Sequence, residues 1–271
     1  MKIYILRNAF IVLVSISIAL SSIAQEIEAQ FAHFTLSLNH IVGERPLILE
    51  NETYVNFSGE KFSVSTFNYF ISNIILVRDN DEEYIVPQDD SYFLIKEDNP
   101  LSKEIELLIP EGRYKTVKFM VGVDSLRSIA DLSRRTGALD IAGGMLEGMY
   151  WTWNSGYIFV KLEGNCDQVA VDRTGQKKFR YHIGGFGGFK TPSLNNIKTV
   201  AIDLPRRGRI KAKNGKNTTV ALQVDLLKIF DGNTLISLKE NPAIMFGNTS
   251  KAVAENYSKM FDHLSTENRR R

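Results

Sequence analysis

The chain has 271 residues, 44% of them hydrophobic and 24% charged, and a formal net charge of +2 at pH 7. This length can bury a core without cross-links. The nearly balanced charge, with no aromatic residues interleaved among the basic ones, argues against nucleic-acid binding. The single cysteine, Cys166, has no partner for an internal disulfide. Its polar surroundings, residues 163–167, predict a loop thiol.

The first 24 residues have the three-part pattern of a secretory signal peptide. Lys2 and Arg7 form a basic start, residues 9–20 are almost entirely apolar, and Ser22-Ile23-Ala24 provides small residues before the cleavage point. The apolar run is shorter than the roughly 20 residues of a membrane span. We therefore expect residues 25–271 to be a single exported domain, periplasmic or secreted, that is not embedded in a membrane after processing.

Most of the exported part is predicted to form strands. Phe34, Leu36 and Leu38 alternate with polar residues, which indicates a half-buried strand, and His40 continues the parity of its apolar face. Asn214-Gly215 is a strong hairpin signal. Many short strands with regular turns predict an all-β fold, an antiparallel β-sandwich or barrel-like domain. The further predicted strands are 62–77 (one or two strands), 84–86, 92–95, 103–109, 116–123, 157–162, 179–183, 199–204 and 218–224.

Helix signals are few. Residues 124–135 are predicted to form a short helix or an ordered loop. Residues 249–264 place Val253, Tyr257 and Phe261 on one helical face after an N-cap at Thr249 or Ser250, which predicts a C-terminal helix packed on a core of about residues 31–237. Two basic groups stand out, which we interpret as a solvated hairpin (206–216) and a frayed end (269–271).

The stretch 124–156 lacks strand alternation and is rich in Gly, Met and Trp. Long ordered loops in β domains often carry function. Trp151 and Trp153 would project to the same side of an extended segment. The favoured interpretation is a hydrophobic plug at one end of the sandwich, with Met145 and Met149 packing at its base.

The four histidines are His33, His40, His182 and His263, and their spacing contains no local zinc signature. His182 has the opposite parity to Phe179, Tyr181 and Ile183, so its ring should face away from theirs. His33 is expected to be exposed, and His263 is expected at the end of the last helix, where the helix dipole would favour imidazolium. No nucleophile elbow and no phosphate-binding glycine loop is present, so we expect no enzymatic activity.

One block, Met149-Tyr150-Trp151-Thr152-Trp153-Asn154-Ser155-Gly156-Tyr157 and its continuation to Gly164, resembles the MbnP-like family of bacterial extracytoplasmic copper-binding proteins. Its W-x-W-x-x-G-Y core is the specific part. Supporting segments occur in the same order along the chain: His40-Ile41-Val42-Gly43, Tyr69 to Ile74, Val121 to Ser125, Tyr181 to Gly185 and Glu255 to Phe261.

The resemblance implies a β-sandwich-like domain that binds copper through histidines and a tryptophan oxidised to kynurenine. By position, His40 and His182 become the best metal ligands and Trp151 or Trp153 the modified residue. The implied partner is a di-haem peroxidase of the MauG type, with a copper-chelating peptide or an outer-membrane transport system for some members. Imidazole and thioether both suit copper, so the additional candidate ligands are Met149, His33 and His263.

An alternative hypothesis is a metal-free secreted interaction module whose tryptophan loop binds a protein or a glycan. The two hypotheses make different structural predictions. A copper site needs His40 and His182 close together on one side of the domain. An interaction module needs tryptophan rings exposed on a rim.

Overall fold

The computed structural model describes residues 30–151, 156–188 and 190–270. The signal peptide, Trp153 and Arg271 lie outside the described residues. The predicted all-β fold is confirmed. The described residues contain three α-helices besides short 3-10 and π turns: α1 (Ser125–Ser128), α2 (Leu227–Phe230) and α3 (Gly247–Tyr257). The strands are β1 (Phe31–Val42), β2 (Arg45–Pro46), β3 (Tyr54–Val55), β4 (Lys61–Arg78), β5 (Glu83–Ile85), β6 (Tyr92–Lys96), β7 (Glu104–Pro110), β8 (Gly112–Val121), β9 (Tyr150–Trp151), β10 (Gly156–Cys166), β11 (Lys178–Gly184), β12 (Lys198–Asp203), β13 (Ile210–Ala212), β14 (Lys216–Asp225), β15 (Ala243–Ile244) and β16 (Phe261–Arg270).

The strands just given form two sheets. The small sheet has the order β16-β14-β1-β2, with β7 also paired to β1, and the large sheet has the order β12-β8-β4-β10-β11-β15 with five short strands attached. Most pairs are antiparallel, as predicted. The long pair β1–β14 is parallel, from His33 opposite Asn217 to Ile41 opposite Asp225. The sandwich is therefore mixed, because β1 and β14 are distant in sequence and no hairpin dictates their direction.

The main core fills the space between the two sheets. Alternate residues of β1, among them Phe34 and Leu36, point inward, and β4 supplies Phe67, Tyr69 and Ile71 from the opposite sheet. This follows from the period of two in strand side chains. The same alternation puts Phe70 on the other face of β4.

A second, smaller core covers the outer face of the large sheet. The segment 124–151 folds over Phe70 and Phe159, and it buries its own Met149 and Trp151 there. Arg135 fixes the segment, with its guanidinium carbon 5.2 Å from the ring centroids of both Tyr150 and Tyr157. The described residues of this segment bury apolar side chains, as the plug interpretation predicts, but they cover the outer face of the large sheet rather than one end of the sandwich. Its first part contains α1, as one of the two alternatives predicted.

The C-terminal region differs from the prediction. The helix begins at Gly247 and ends at Tyr257, and residues 261–270 form the edge strand β16 rather than the end of a helix. Two interactions outweigh the helical pattern: β16 pairs along nearly the whole of β14, and the Phe261 ring packs 5.0 Å from that of Phe119. The core consequently extends beyond residue 237 to include the helix and Phe261.

Cys166 also differs from the prediction of a loop thiol. It is the last residue of β10 and is buried, which raises the pKa of its thiol. Among the described residues, no helix is long and apolar enough to cross a membrane.

Candidate functional site

His40 lies in the main core. Its Nδ1 donates to Glu97 Oε2 at 2.5 Å, and its Nε2 accepts from the Tyr69 hydroxyl at 2.8 Å. Glu97 is also paired with Lys103 Nζ at 3.0 Å. Burial is the largest influence on this imidazole and lowers its pKa, although the hydrogen bond and charge of Glu97 act in the opposite direction. The neutral ring therefore has both nitrogens satisfied, which is the arrangement of a structural histidine.

His182 lies on β11, and its ring environment is different. Its Nε2 donates to Glu163 Oε1 at 2.5 Å, and this hydrogen bond lowers the pKa of the Glu163 carboxyl. Among the described residues, Nδ1 of His182 has no hydrogen-bond partner, and 16% of the side chain is exposed. With the proton on Nε2, Nδ1 carries a lone pair that is free to bind a ligand.

The structure does not bring His40 and His182 together. His40 contacts Phe67 and Tyr69 on the inner face of the large sheet. In β11 the inward residues are Phe179, Tyr181 and Ile183, so His182 points to the outer face. The prediction of one copper ion shared by both histidines is therefore wrong, because a β-sheet separates the two rings.

Trp151 lies on the same outer face of the large sheet as His182. Its six-membered ring covers Gly184, where a Cβ would come within 2.7 Å of Cζ3. Gly184 and His182 are two positions apart on the same face of β11, so their side-chain positions are neighbours about 7 Å apart. The Trp151 ring also packs against Phe246, with 5.0 Å between the centroids.

The remaining candidates do not form a cluster around His182. Met149 is fully buried in the second core, and Met145 packs against that core. His33 is exposed on β1, as expected. His263 is on β16 rather than at a helix end, and the expected helix-dipole effect is absent: its pKa is lowered, chiefly by partial burial. Its Nε2 is 2.8 Å from Thr266 Oγ1.

The donor set around His182 is small. Within residues 30–151, 156–188 and 190–270, no group of three or more His, Cys, Asp and Glu side chains could hold a metal ion. Around His182, the described residues thus provide one available imidazole and no complete copper site. The segment that joins Trp151 to β10, and that contains Trp153, lies outside the description.

The carboxylates that pair with the two histidines, Glu97 and Glu163, were not identified as partners from the sequence. In the backbone register of β10 and β11, Glu163 lies opposite Arg180, and Lys161 lies opposite His182. The antiparallel pairing of the two predicted strands could have revealed the Glu163 contact. Glu97 approaches His40 from a distant part of the chain, and no sequence pattern marks it.

Comparisons with known proteins agree on one family. The family described as MbnP matches residues 31–246. The solved structure described as MbnP from Methylosinus trichosporium has a TM-score of 0.53 to this chain at 13% identity, and the match covers 81% of this chain and 82% of that one. At this identity the structural match supports the fold alone. No curated protein matches the chain. Because the family match spans most of the sequence, the chain belongs to the MbnP family.

Proposed function

We propose that this protein is an exported copper-binding protein, not itself an enzyme, that holds the metal on the outer face of the large sheet at His182. The observation that carries the proposal is the hydrogen bonding of the His182 imidazole. Glu163 fixes the ring through Nε2, and no described residue occupies Nδ1. Export is supported by the signal-peptide pattern of residues 1–24.

The contact between Glu163 and His182 is a common support for a metal ligand. A carboxylate on one ring nitrogen fixes the tautomer and orientation of the imidazole and makes the other nitrogen a better donor. Imidazole is a good ligand for copper. His40 has a carboxylate as well, but its second nitrogen is occupied by Tyr69, so the same argument does not extend to it.

A single imidazole is an incomplete copper site, so the proposal needs further donors. Family resemblance suggests two sources. One is a tryptophan oxidised to kynurenine by a MauG-type di-haem peroxidase. Trp151 covers Gly184, two positions along β11 from His182, and Trp153 follows it two residues later in the sequence. The other is a copper-chelating peptide that brings its own donors. Copper bound here would be cargo or a structural ion, and the residues of this chain would only hold and orient it.

The alternative, a metal-free interaction module, receives less support. It requires exposed tryptophan rings, and Trp151 is only 6% exposed, packed between the large sheet and Phe246. A buried ring is unavailable to a protein or glycan partner without opening the second core.

The proposal is tested by metal analysis of protein recovered from its native host, where an oxidising partner would be present. We expect copper to copurify with the wild type and with His33→Ala, an exposed histidine on the other sheet, and to be lost from His182→Ala. Intact mass of the same samples reports whether a tryptophan has exchanged a ring carbon for oxygen. Equal copper in all three proteins, or none in the wild type, would overturn the proposal.

A further inference from the structure

Two basic stretches that are far apart in the sequence lie together at one edge of the molecule. The first occupies residues 206–216, and the second is the end of β16. The register of β14 and β16 places Lys216 opposite Arg270 and Asn217 opposite Arg269. The fold therefore joins what look like two unrelated groups into one basic edge, which we define as residues 206–216 and 269–270.

Asn268 holds the two stretches together. Its Oδ1 accepts from the Lys211 backbone N–H at 2.8 Å and from Thr218 Oγ1 at 3.0 Å, and its Nδ2 donates to the Arg209 carbonyl at 3.3 Å. Both earlier interpretations need correction: residues 206–216 are not a hairpin of two paired strands, because β13 pairs with β8 whereas β14 pairs with β1 and β16. The terminal residues up to 270 are a paired strand, not a frayed end, and the 206–216 segment is attached to that strand.

Most cations of the basic edge are not neutralised. The Asp79 carboxylate forms ion pairs with Arg209 and with the neighbouring Arg113, and Glu267 forms an ion pair with Arg269. Five further basic side chains of the edge form no ion pair with any described residue, and most of the five are exposed: Arg206, Arg207, Lys211, Lys213 and Lys216. In a chain with a net charge of only +2, this is a strong segregation of positive charge.

We propose that the basic edge binds the surface of a bilayer rich in anionic phospholipid. The five unpaired cations are spread over a turn and two strands, so they can contact several lipid phosphates on a surface at once. Each cation near such a surface strengthens binding by roughly fivefold. A single-stranded nucleic acid would also need stacking rings. Residues 205–217 and 262–270 contain no Phe, Tyr or Trp.

Binding through this edge leaves the His182 face free. In the large sheet, β13 and β12 pair with β8, and β8 is separated from β11 by β4 and β10. The lipid-binding inference is thus independent of the copper proposal. It would keep an exported protein at a membrane surface.

The test is sedimentation of the chain, recovered after export, with vesicles of equal parts phosphatidylglycerol and phosphatidylcholine or of phosphatidylcholine alone. A triple neutralisation in the edge is compared with a triple neutralisation of exposed cations outside it, which changes the net charge equally. The edge variant is Arg206→Gln/Arg207→Gln/Lys213→Gln, and the control is Lys61→Gln/Arg173→Gln/Lys251→Gln.

We expect binding to the anionic vesicles only, weakened by salt, and weakened about a hundredfold by the edge variant but little by the control. Salt titration of the wild type provides a readout that does not depend on the variants. Equal loss in both variants, equal binding to both vesicle types, or no binding at low salt overturns the proposal. Binding of duplex DNA in place of vesicles would overturn it in favour of a nucleic-acid surface.

Discussion

His40 and His182 are similar in sequence terms and different in structure. Each lies on a strand, and each has a ring nitrogen 2.5 Å from a glutamate oxygen. The second nitrogen separates them. That of His40 meets the Tyr69 hydroxyl inside the main core, whereas that of His182 has no partner among the described residues.

The comparison shows that a carboxylate partner does not by itself distinguish a metal ligand from a structural histidine. A carboxylate orients the ring in both cases. Whether the ring can bind a metal depends on whether the other nitrogen is already hydrogen-bonded and on what lies in front of it.

Replacing His40 should cost the most stability. His40→Ala leaves the Glu97 carboxylate in the core without its closest partner and opens a cavity beside Phe67, so we expect a loss of about 3 kcal/mol in the free energy of unfolding. His182→Ala should cost less than about 1 kcal/mol because its hydrogen bond to Glu163 is partly exposed to solvent. Urea unfolding measures both, with His33→Ala as the exposed control. Equal losses for the two variants would remove the basis of the comparison.

Crowding the outer-face site should also be costly. A Cβ at position 184 would come within 2.7 Å of the Trp151 ring and 2.4 Å of the Tyr157 carbonyl oxygen. We expect Gly184→Ala to destabilise the protein by about 2 kcal/mol. Trp151→Phe removes part of the clash, so the double variant should cost less than the sum of the single ones. Strict additivity in chemical unfolding would mean that Trp151 does not cover Gly184.

Removing the carboxylate behind His182 should weaken copper binding with little effect on folding. We expect Glu163→Gln to lower copper affinity about tenfold, because loss of such a supporting contact typically has this effect. Glu97→Gln is the matched variant at His40, and it should lower stability while leaving copper affinity of the folded protein unchanged. Competition with a copper chelator of known affinity measures the ratio. If Glu97→Gln weakened copper binding and Glu163→Gln did not, the metal would lie at His40.

The smallest effect concerns pH. Burial lowers the pKa of His40, so the unfolded chain takes up this proton first as pH falls through about 6.5, the ordinary histidine value. Stability contributed by neutral His40 is therefore present above that value and is lost below it. Urea midpoints measured between about pH 7 and pH 5.5 should fall less steeply for His40→Gln than for the wild type. Parallel curves would show that His40 does not titrate differently on folding.

Much of the local structure could be predicted from the sequence. Alternation along β1 places His40 with the buried residues, and alternation along β11 places His182 opposite to Tyr181 and Ile183. These alternations point His40 into the interior between the two sheets and His182 away from it. They therefore already conflict with a metal ion shared by both histidines. The family resemblance pointed to both histidines, and only the sheet arrangement shows which one remains available.

The long-range features could not be predicted in this way. The parallel pairing of β1 with β14 joins strands without a local connection, and the helical pattern through Phe261 gives no sign of β16. The contact of His40 with Glu97 and the clamp at Asn268 likewise depend on how distant segments pack. Local patterns determine which face a side chain takes, whereas packing decides what it meets there.

The most direct measurement is anomalous diffraction at the copper absorption edge from crystals of the protein isolated from its native host. We expect a copper peak on the outer face of the large sheet, within bonding distance of His182 Nδ1 and adjacent to Trp151. A peak beside His40, or at any place away from His182, would contradict it.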